Sequence, residues 1–177
     1  MLSCRAVVIC AACGWIAGCH NPNAARVDYA MGEKVSIGPL TYTVVDSSWK
    51  TQLGDVLKLR QPEQRFLLLH ISVTNGGGSE HSVPFLQIEN YNGQTYLESE
   101  NGENVDNWFG VLRTLAPGET QQGQILFDVP LTSYRLRVPD GNGPGLEKYA
   151  WIAIPLRLEL EPPPQVPGQP PQGVSIK

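Results

Sequence analysis

The chain has 177 residues, of which 41% are hydrophobic and 17% are charged, and its formal net charge is −4. This length and composition indicate one ordinary globular domain with a real core, and the mildly acidic balance gives no electrostatic reason to expect nucleic acid as a partner. Eighteen glycines and fifteen prolines favour short strands joined by turns over long helices.

Residues 1–18 have the layout of a secretory signal peptide. Arg5 is their only charged residue, and the apolar run AVVICAACGWIAG follows it at 6–18. The run is too short for a comfortable membrane span, which needs about 20 residues. We therefore predict that residues 1–18 are removed on export, together with every cysteine before Cys19.

The end of this segment, Ile16-Ala17-Gly18-Cys19, resembles the lipobox of bacterial lipoproteins. The resemblance implies cleavage before Cys19, attachment of a lipid to its sulfur, and acylation of its new amine with a chain such as palmitate. Two or three chains hold a protein on a membrane where one would not. The predicted location is the cell envelope, with the outer membrane favoured in a Gram-negative cell because His20, and not Asp, follows the cysteine. An ordinary signal peptide that contains a cysteine is the alternative.

Two flanking segments lack the pattern of a folded domain. Residues 19–33 are interpreted as a lipidated, disordered tether, and residues 162–177, PPPQVPGQPPQGVSIK, as a proline-rich disordered tail. The tail is interpreted as a spacer, with a P-x-x-P recognition ligand at Pro164 and Pro167 as the alternative. Residues 34–161 remain as the single predicted domain.

Two hairpins are predicted from turn signals within this domain. Gly38-Pro39 separates the apolar-rich segments 34–37 and 40–49, and Asn92-Gly93 separates 85–91 from 94–97. Asn-Gly between two strand-like segments is a strong short-range signal for a hairpin. Gly-Pro is a general turn signal.

The remaining strands are predicted from alternation with a period of two. In FLLLHISVTN (66–75), four aliphatic side chains from Leu67 to Val73 share one face, and QGQILFDV (122–129) and YRLRV (134–138) alternate in the same way. WIAIPLRLEL (151–160) is predicted as a final strand at a sheet edge or with a bulge, because Pro155 cannot donate to a ladder. Together these segments predict an all-β, immunoglobulin-like β-sandwich of roughly seven to nine strands. A small barrel is the alternative.

Three stretches in order carry a family resemblance. They are MGEKVSIGPLTYTV (31–44), FLLLHISVTNGG (66–77) and LAPGETQQGQILFDVP (115–130). Together they resemble the bacterial telokin-like, immunoglobulin-related domain of unknown function that occurs in many secreted proteins and lipoproteins. The resemblance covers about residues 31–138, implies an immunoglobulin-like fold, and supplies no catalytic residues.

Residues that could carry chemistry are sparse. The histidines His20, His70 and His81 form no zinc-binding pattern, and no free thiol remains to join them. There is no nucleophile elbow and no phosphate-binding loop before a helix. The sequence therefore predicts a protein that is not an enzyme, with no metal and no cofactor.

One segment, 98–110, combines acidic and aromatic side chains. The candidate contact residues are Glu98, Glu100, Glu103, Asp106, Trp108 and Phe109. They could contact a partner or an ion, or the acids could form a solvated loop while the aromatics cap the sandwich. The resulting function prediction is a membrane-anchored envelope lipoprotein with a non-catalytic protein-interaction or structural domain and an envelope protein as its partner. The alternative is an extracytoplasmic protein that binds a small ligand or a metal ion through this loop.

Overall fold

The computed structural model describes residues 28–143 and 146–157, and the regular elements in these ranges are β-strands, as predicted. The strands are β1 (Val35–Ile37), β2 (Leu40–Lys50), β3 (Phe66–Asn75), β4 (His81–Ser82), β5 (Gln87–Asn90), β6 (Thr95–Leu97), β7 (Thr114–Leu115), β8 (Thr120–Asp128), β9 (Tyr134–Pro139) and β10 (Tyr149–Ile154). Within these ranges there is no helix long and apolar enough to cross a membrane. The predicted signal peptide, Cys19 and the proline-rich tail lie outside the described residues.

The strands form two antiparallel four-stranded sheets that pack as a sandwich. The first sheet has the order β1-β2-β3-β8, and the second has the order β10-β9-β5-β6. β4 and β7 form a separate two-stranded sheet, which is not hydrogen-bonded to either four-stranded sheet through paired strands. The predicted β-sandwich is therefore confirmed.

The core between the sheets contains the side chains that the alternation predicted. Leu67, Leu69, Ile71 and Val73 of β3 are buried, and they belong to one cluster with buried residues of β8, β9 and β10. Because alternate side chains of a strand point to opposite faces, the other half of β3 faces outward. Burial of these aliphatic faces is the main source of stability for a chain of this composition.

Both predicted hairpins are confirmed. β1 pairs with β2 around Gly38, which has a positive φ of 55°, and β5 pairs with β6 around Gly93, with φ of 81°. Glycine adopts such angles without the clash that a Cβ would cause. In the second turn the side-chain Oδ1 of Asn90 also accepts from the backbone N–H groups of Asn92 and Gln94, each at 3.0 Å.

The ends of the domain differ from the prediction. β10 stops at Ile154 and residues 155–157 are not in a strand, because Pro155 has no N–H to donate, whereas the predicted positions 158–160 lie outside the described residues. The strand does lie at a sheet edge, as predicted. Residues 28–33, predicted as tether, belong to the fold. Tyr29 donates its N–H to the carbonyl of Trp151 at 2.9 Å and accepts from the N–H of Ala153 at 2.7 Å.

The outer face of the first sheet carries a second, smaller core. Phe66, Leu68 and Leu126 point away from the sandwich interior and pack with Leu53 from the β2–β3 connection. Val105, in the connection that follows β6, packs against the same group. Two connections therefore cover this face of the sheet and are held there by apolar contacts.

Candidate functional site

The segment 98–113 joins the two sheets of the sandwich. Its start remains near the second sheet, where the N–H of Glu98 donates to the carbonyl of Leu86 at 3.1 Å. Its later part pairs with β8 of the first sheet, where the N–H of Phe109 donates to the carbonyl of Gln124 at 2.9 Å. Glycine at 123 permits this approach, because a Cβ there would lie 2.8 Å from the Cα of Phe109.

A buried ion pair fixes both ends of this segment. Oε1 of Glu98 lies 2.5 Å from Nη1 of Arg113, and each side chain is 1% exposed. The same Oε1 accepts from the N–H of Leu86 at 3.0 Å, and Nε of Arg113 donates to the carbonyl of Gly110. Charge-assisted hydrogen bonds of this kind are the stronger class, so the pair locks the loop to the body of the domain.

Two aromatic rings enclose the guanidinium of Arg113. Its Cζ lies 5.2 Å from the ring centroid of Phe85 and 5.0 Å from that of Phe109. A guanidinium at such distances is attracted to an aromatic ring. Phe109 is itself buried in the main core, so it caps the sandwich.

The electrostatics of Glu98 are dominated by its burial. Burial raises the pKa of Glu98 above its ordinary value, and this effect exceeds the lowering by Arg113 and by the N–H of Leu86. The imbalance has a structural reason, because Oε2 of Glu98 is buried without a hydrogen-bond partner while Oε1 accepts twice. Glu98 therefore holds the loop in place, and both of its carboxylate oxygens are buried where no ligand can contact them.

The structure separates the six predicted contact residues. Glu98 and Phe109 are buried and present no surface to a partner, which corrects the predicted contact role of both side chains. For Phe109, the burial agrees with the alternative prediction that the aromatics cap the sandwich. Glu100, Glu103 and Asp106 are exposed, and Trp108 is partly buried, with its ring against Gly102. Across residues 28–143 and 146–157, no three histidine, cysteine, aspartate or glutamate side chains come together as metal ligands would.

A second connection, residues 53–60, for which no site was predicted, packs against residues 99–108, which we call the acidic loop. Nη1 of Arg60 donates to the carbonyl of Asn101 at 2.8 Å, and Nδ2 of Asn104 donates to the carbonyl of Lys58 at 3.0 Å. We call residues 53–60 and 99–108 together the two-loop surface. The aliphatic side chains at 56, 57 and 59 could be recognised in the sequence, but a short apolar run of this kind is equally consistent with a buried strand.

The outer face of the second sheet has a different covering. Arg135 lies over Trp151 and Arg137 over Tyr149, each with its Cζ 4.3 Å from the ring centroid. Glu89 contacts Arg135 and Glu147 contacts Arg137, each at 2.5 Å. Each of these two arginines is therefore paired with a neighbouring carboxylate. Neither Arg135 nor Arg137 is free to bind an anion.

Comparison with known proteins identifies a family and several structures of the same fold. The model of a domain of unknown function, DUF4352, matches residues 29–143. No curated protein sequence matches the chain.

Three solved structures illustrate the likeness of fold. The YjhA protein of Bacillus subtilis has a TM-score of 0.53 at 14% identity, covering 70% of this chain and 98% of its own. The YcdA protein of the same organism, described as a "putative lipoprotein", has a TM-score of 0.55 at 15% identity, covering 71% of this chain but 39% of its own. MPT63, a secreted protein of Mycobacterium tuberculosis, has a TM-score of 0.50 at 17% identity, covering 73% of this chain and 99% of its own. At these identities the likeness is one of fold.

Proposed function

This chain belongs to the DUF4352 family, and we propose that it is a lipid-anchored protein of the bacterial cell envelope whose β-sandwich binds a partner protein without catalysing a reaction. The observation that carries the proposal is the sequence Ile16-Ala17-Gly18-Cys19 after an apolar run, which resembles a lipobox. The description of YcdA as a "putative lipoprotein" and of MPT63 as a secreted protein supports a position outside the cytoplasm.

The length of chain between Cys19 and the folded domain supports a role close to the membrane. The fold begins by Tyr29, which pairs with β10, so only the eight residues 20–27 lie between the anchor and Asp28. Even when fully extended, the nine Cα–Cα steps from Cys19 to Asp28 span no more than about 32 Å. A lipid at Cys19 would therefore keep the sandwich beside the bilayer that holds it.

The use of the buried charged groups supports a binding role over a catalytic one. Glu98 and Arg113 are committed to each other and to the backbone of the 98–113 segment. Buried Asp140 is likewise engaged with the N–H and the side-chain amide of Asn142. A catalytic acid or base must reach a substrate, and these groups are occupied in holding loops.

The anchor can be tested by mass spectrometry of the full-length chain expressed in a bacterium with a lipoprotein-processing pathway. We expect an N-terminal peptide that begins at Cys19 with diacylglyceryl and acyl additions, and a protein that fractionates with membranes. Cys19→Ser removes the only predicted acceptor sulfur, so that variant should leave the membrane fraction. Recovery of wild-type protein with an unmodified Cys19 thiol would refute the anchor.

The ion-binding alternative can be tested by titrating calcium while Trp fluorescence is recorded. Trp108 lies within the acidic loop, so an ion bound there would change its surroundings. Our proposal predicts no saturable change. A saturable change that disappears in Trp108→Phe would favour the ion-binding alternative instead.

A further inference from the structure

The two-loop surface ends in an apolar tip. Val56 is 96% exposed and Leu57 is 91% exposed, and Leu59 beside them is also exposed. Single exposed aliphatic side chains are common on protein surfaces, but adjacent ones that remain almost fully in water mark an interaction site more often. The tip therefore needs an explanation beyond the packing of this domain.

Hydrogen bonds fix the conformation of the tip. Leu53 and Arg60 exchange backbone hydrogen bonds of 2.9 and 2.8 Å at its base. Above them, Oδ1 of Asp55 accepts from the N–H of Leu57 at 3.0 Å and from that of Lys58 at 3.1 Å. A preorganised loop loses little conformational freedom on binding, so the arrangement suits docking.

Apolar packing joins the tip to the rest of the domain. Leu53 is buried in the second core with Phe66, Leu68 and Leu126, and Val105 of the neighbouring loop packs against the same core. Asn104 and Arg60 connect the two loops by hydrogen bonds. The tip and the acidic loop are thus parts of one surface.

The charges around the tip select among partners. Asp55, Glu100, Glu103 and Asp106 are exposed on the two-loop surface, whereas Lys58 is its one exposed basic residue. Arg60 is only partly exposed and is engaged by the acidic loop. A net negative surface repels anionic lipid and nucleic acid, and it also disfavours the same face of a second copy.

We infer that Val56 and Leu57 contact an apolar segment of a partner protein and that lysine or arginine side chains border this segment. Burial of one such aliphatic side chain strengthens binding about tenfold. The basic border would face Glu100, Glu103 and Asp106 and would speed and orient the encounter. This inference rests on the proposed binding function and names the partner's chemistry, but it does not require the lipid at Cys19.

The test uses the mature chain with Cys19→Ser as bait for a phage-displayed library of 12-residue peptides. We expect enrichment of peptides with an aromatic or large aliphatic residue flanked by lysine or arginine. Fluorescence anisotropy measures the affinity for such a peptide. We expect the affinity to fall at least tenfold in the double variant Val56→Ser/Leu57→Ser, and the affinity of the parent protein to fall when salt is added. Leu146→Ser, at an exposed position outside the two loops, is the matched control and should bind like the parent protein.

Three outcomes would overturn the inference. The first is the absence of enriched peptides, and the second is enrichment of peptides that bind the double variant equally well. The third is co-sedimentation of the parent protein, but not the double variant, with phosphatidylcholine or phosphatidylglycerol vesicles, which would make a lipid surface the occupant. If peptides bind the double variant as well as the parent, the proposed binding function remains and only the role of Val56 and Leu57 is refuted. If no peptide binds, both the binding function and the role of these two residues are contradicted.

Discussion

Arg113 and Arg135 contact the same kinds of group in two different environments. Each guanidinium has a glutamate oxygen at 2.5 Å and lies over an aromatic ring, but the side chain of Arg113 is 1% exposed and that of Arg135 is 34% exposed. Arg113 joins a loop to the core, whereas Arg135 lies on the outer face of the second sheet. Burial, and not the identity of the contacts, decides how much each arginine matters, because water and salt screen the exposed one.

The largest expected effect follows from removing the buried cation. Arg113→Met leaves the carboxyl of Glu98 buried without its ion-pair partner, which costs about 3–5 kcal/mol for a buried pair. Urea denaturation should show this loss as a lower midpoint. The double variant Glu98→Gln/Arg113→Met should recover part of the stability, because it removes the uncompensated carboxylate as well. An Arg113→Met variant as stable as the parent would contradict the role assigned to burial.

The pH dependence of stability gives a smaller and more specific effect. Because the folded-state pKa of Glu98 is raised, the folded state binds this proton more tightly than the unfolded state does. The corresponding stability is fully present below the ordinary glutamate pKa and is lost as the pH rises through the raised value. The parent protein should therefore lose stability relative to Glu98→Gln when denaturation is followed from pH 4 upward. A difference that remains constant with pH would mean that the effects of burial and of Arg113 on this pKa cancel, and a parent protein that gains stability relative to Glu98→Gln as the pH rises would mean that Arg113 outweighs burial.

The exposed arginine should contribute much less. Arg135→Met removes a partly exposed ion pair and its contact with Trp151, so we expect a loss of about 1 kcal/mol or less. The same denaturation experiment in high salt should reduce the difference further. If Arg135→Met lost as much free energy of unfolding as Arg113→Met, burial would not be what distinguishes the two arginines.

The smallest expected effect on stability is at the apolar tip. Val56→Ser/Leu57→Ser replaces side chains that are 96% and 91% exposed, so the free energy of unfolding should change by about 0.5 kcal/mol or less. Thermal unfolding should give a midpoint close to that of the parent. A large loss would show that the tip packs within this domain, and it would remove the basis for a docking role.

The fold was predictable where its determinants are local. Alternation in residues 66–75 and the turn signals Gly38-Pro39 and Asn92-Gly93 identify strands and hairpins because each depends on neighbours in the sequence. The end of the last strand before Pro155 was missed because the apolar alternation continues past the proline.

The candidate site was less predictable because its contacts are not local. Glu98, Glu100 and Glu103 look alike in the sequence. Only the pairing of Glu98 with Arg113, whose guanidinium lies between Phe85 and Phe109, decides which carboxylate is buried. The contact between the two loops joins residues about forty positions apart, such as Arg60 and Asn101. No local pattern reports such a pairing.

The pairing of Tyr29 with β10 has a mechanical consequence for a tethered protein. Among the described residues, Tyr29 is the first whose backbone is hydrogen-bonded to the fold, so a force applied through the N-terminal chain acts early on the two hydrogen bonds between Tyr29 and β10. Neither bond belongs to the strand pairing within either four-stranded sheet. If the chain is held at Cys19, as we propose, tension on it reaches these two bonds before it reaches the hydrogen bonds within either four-stranded sheet.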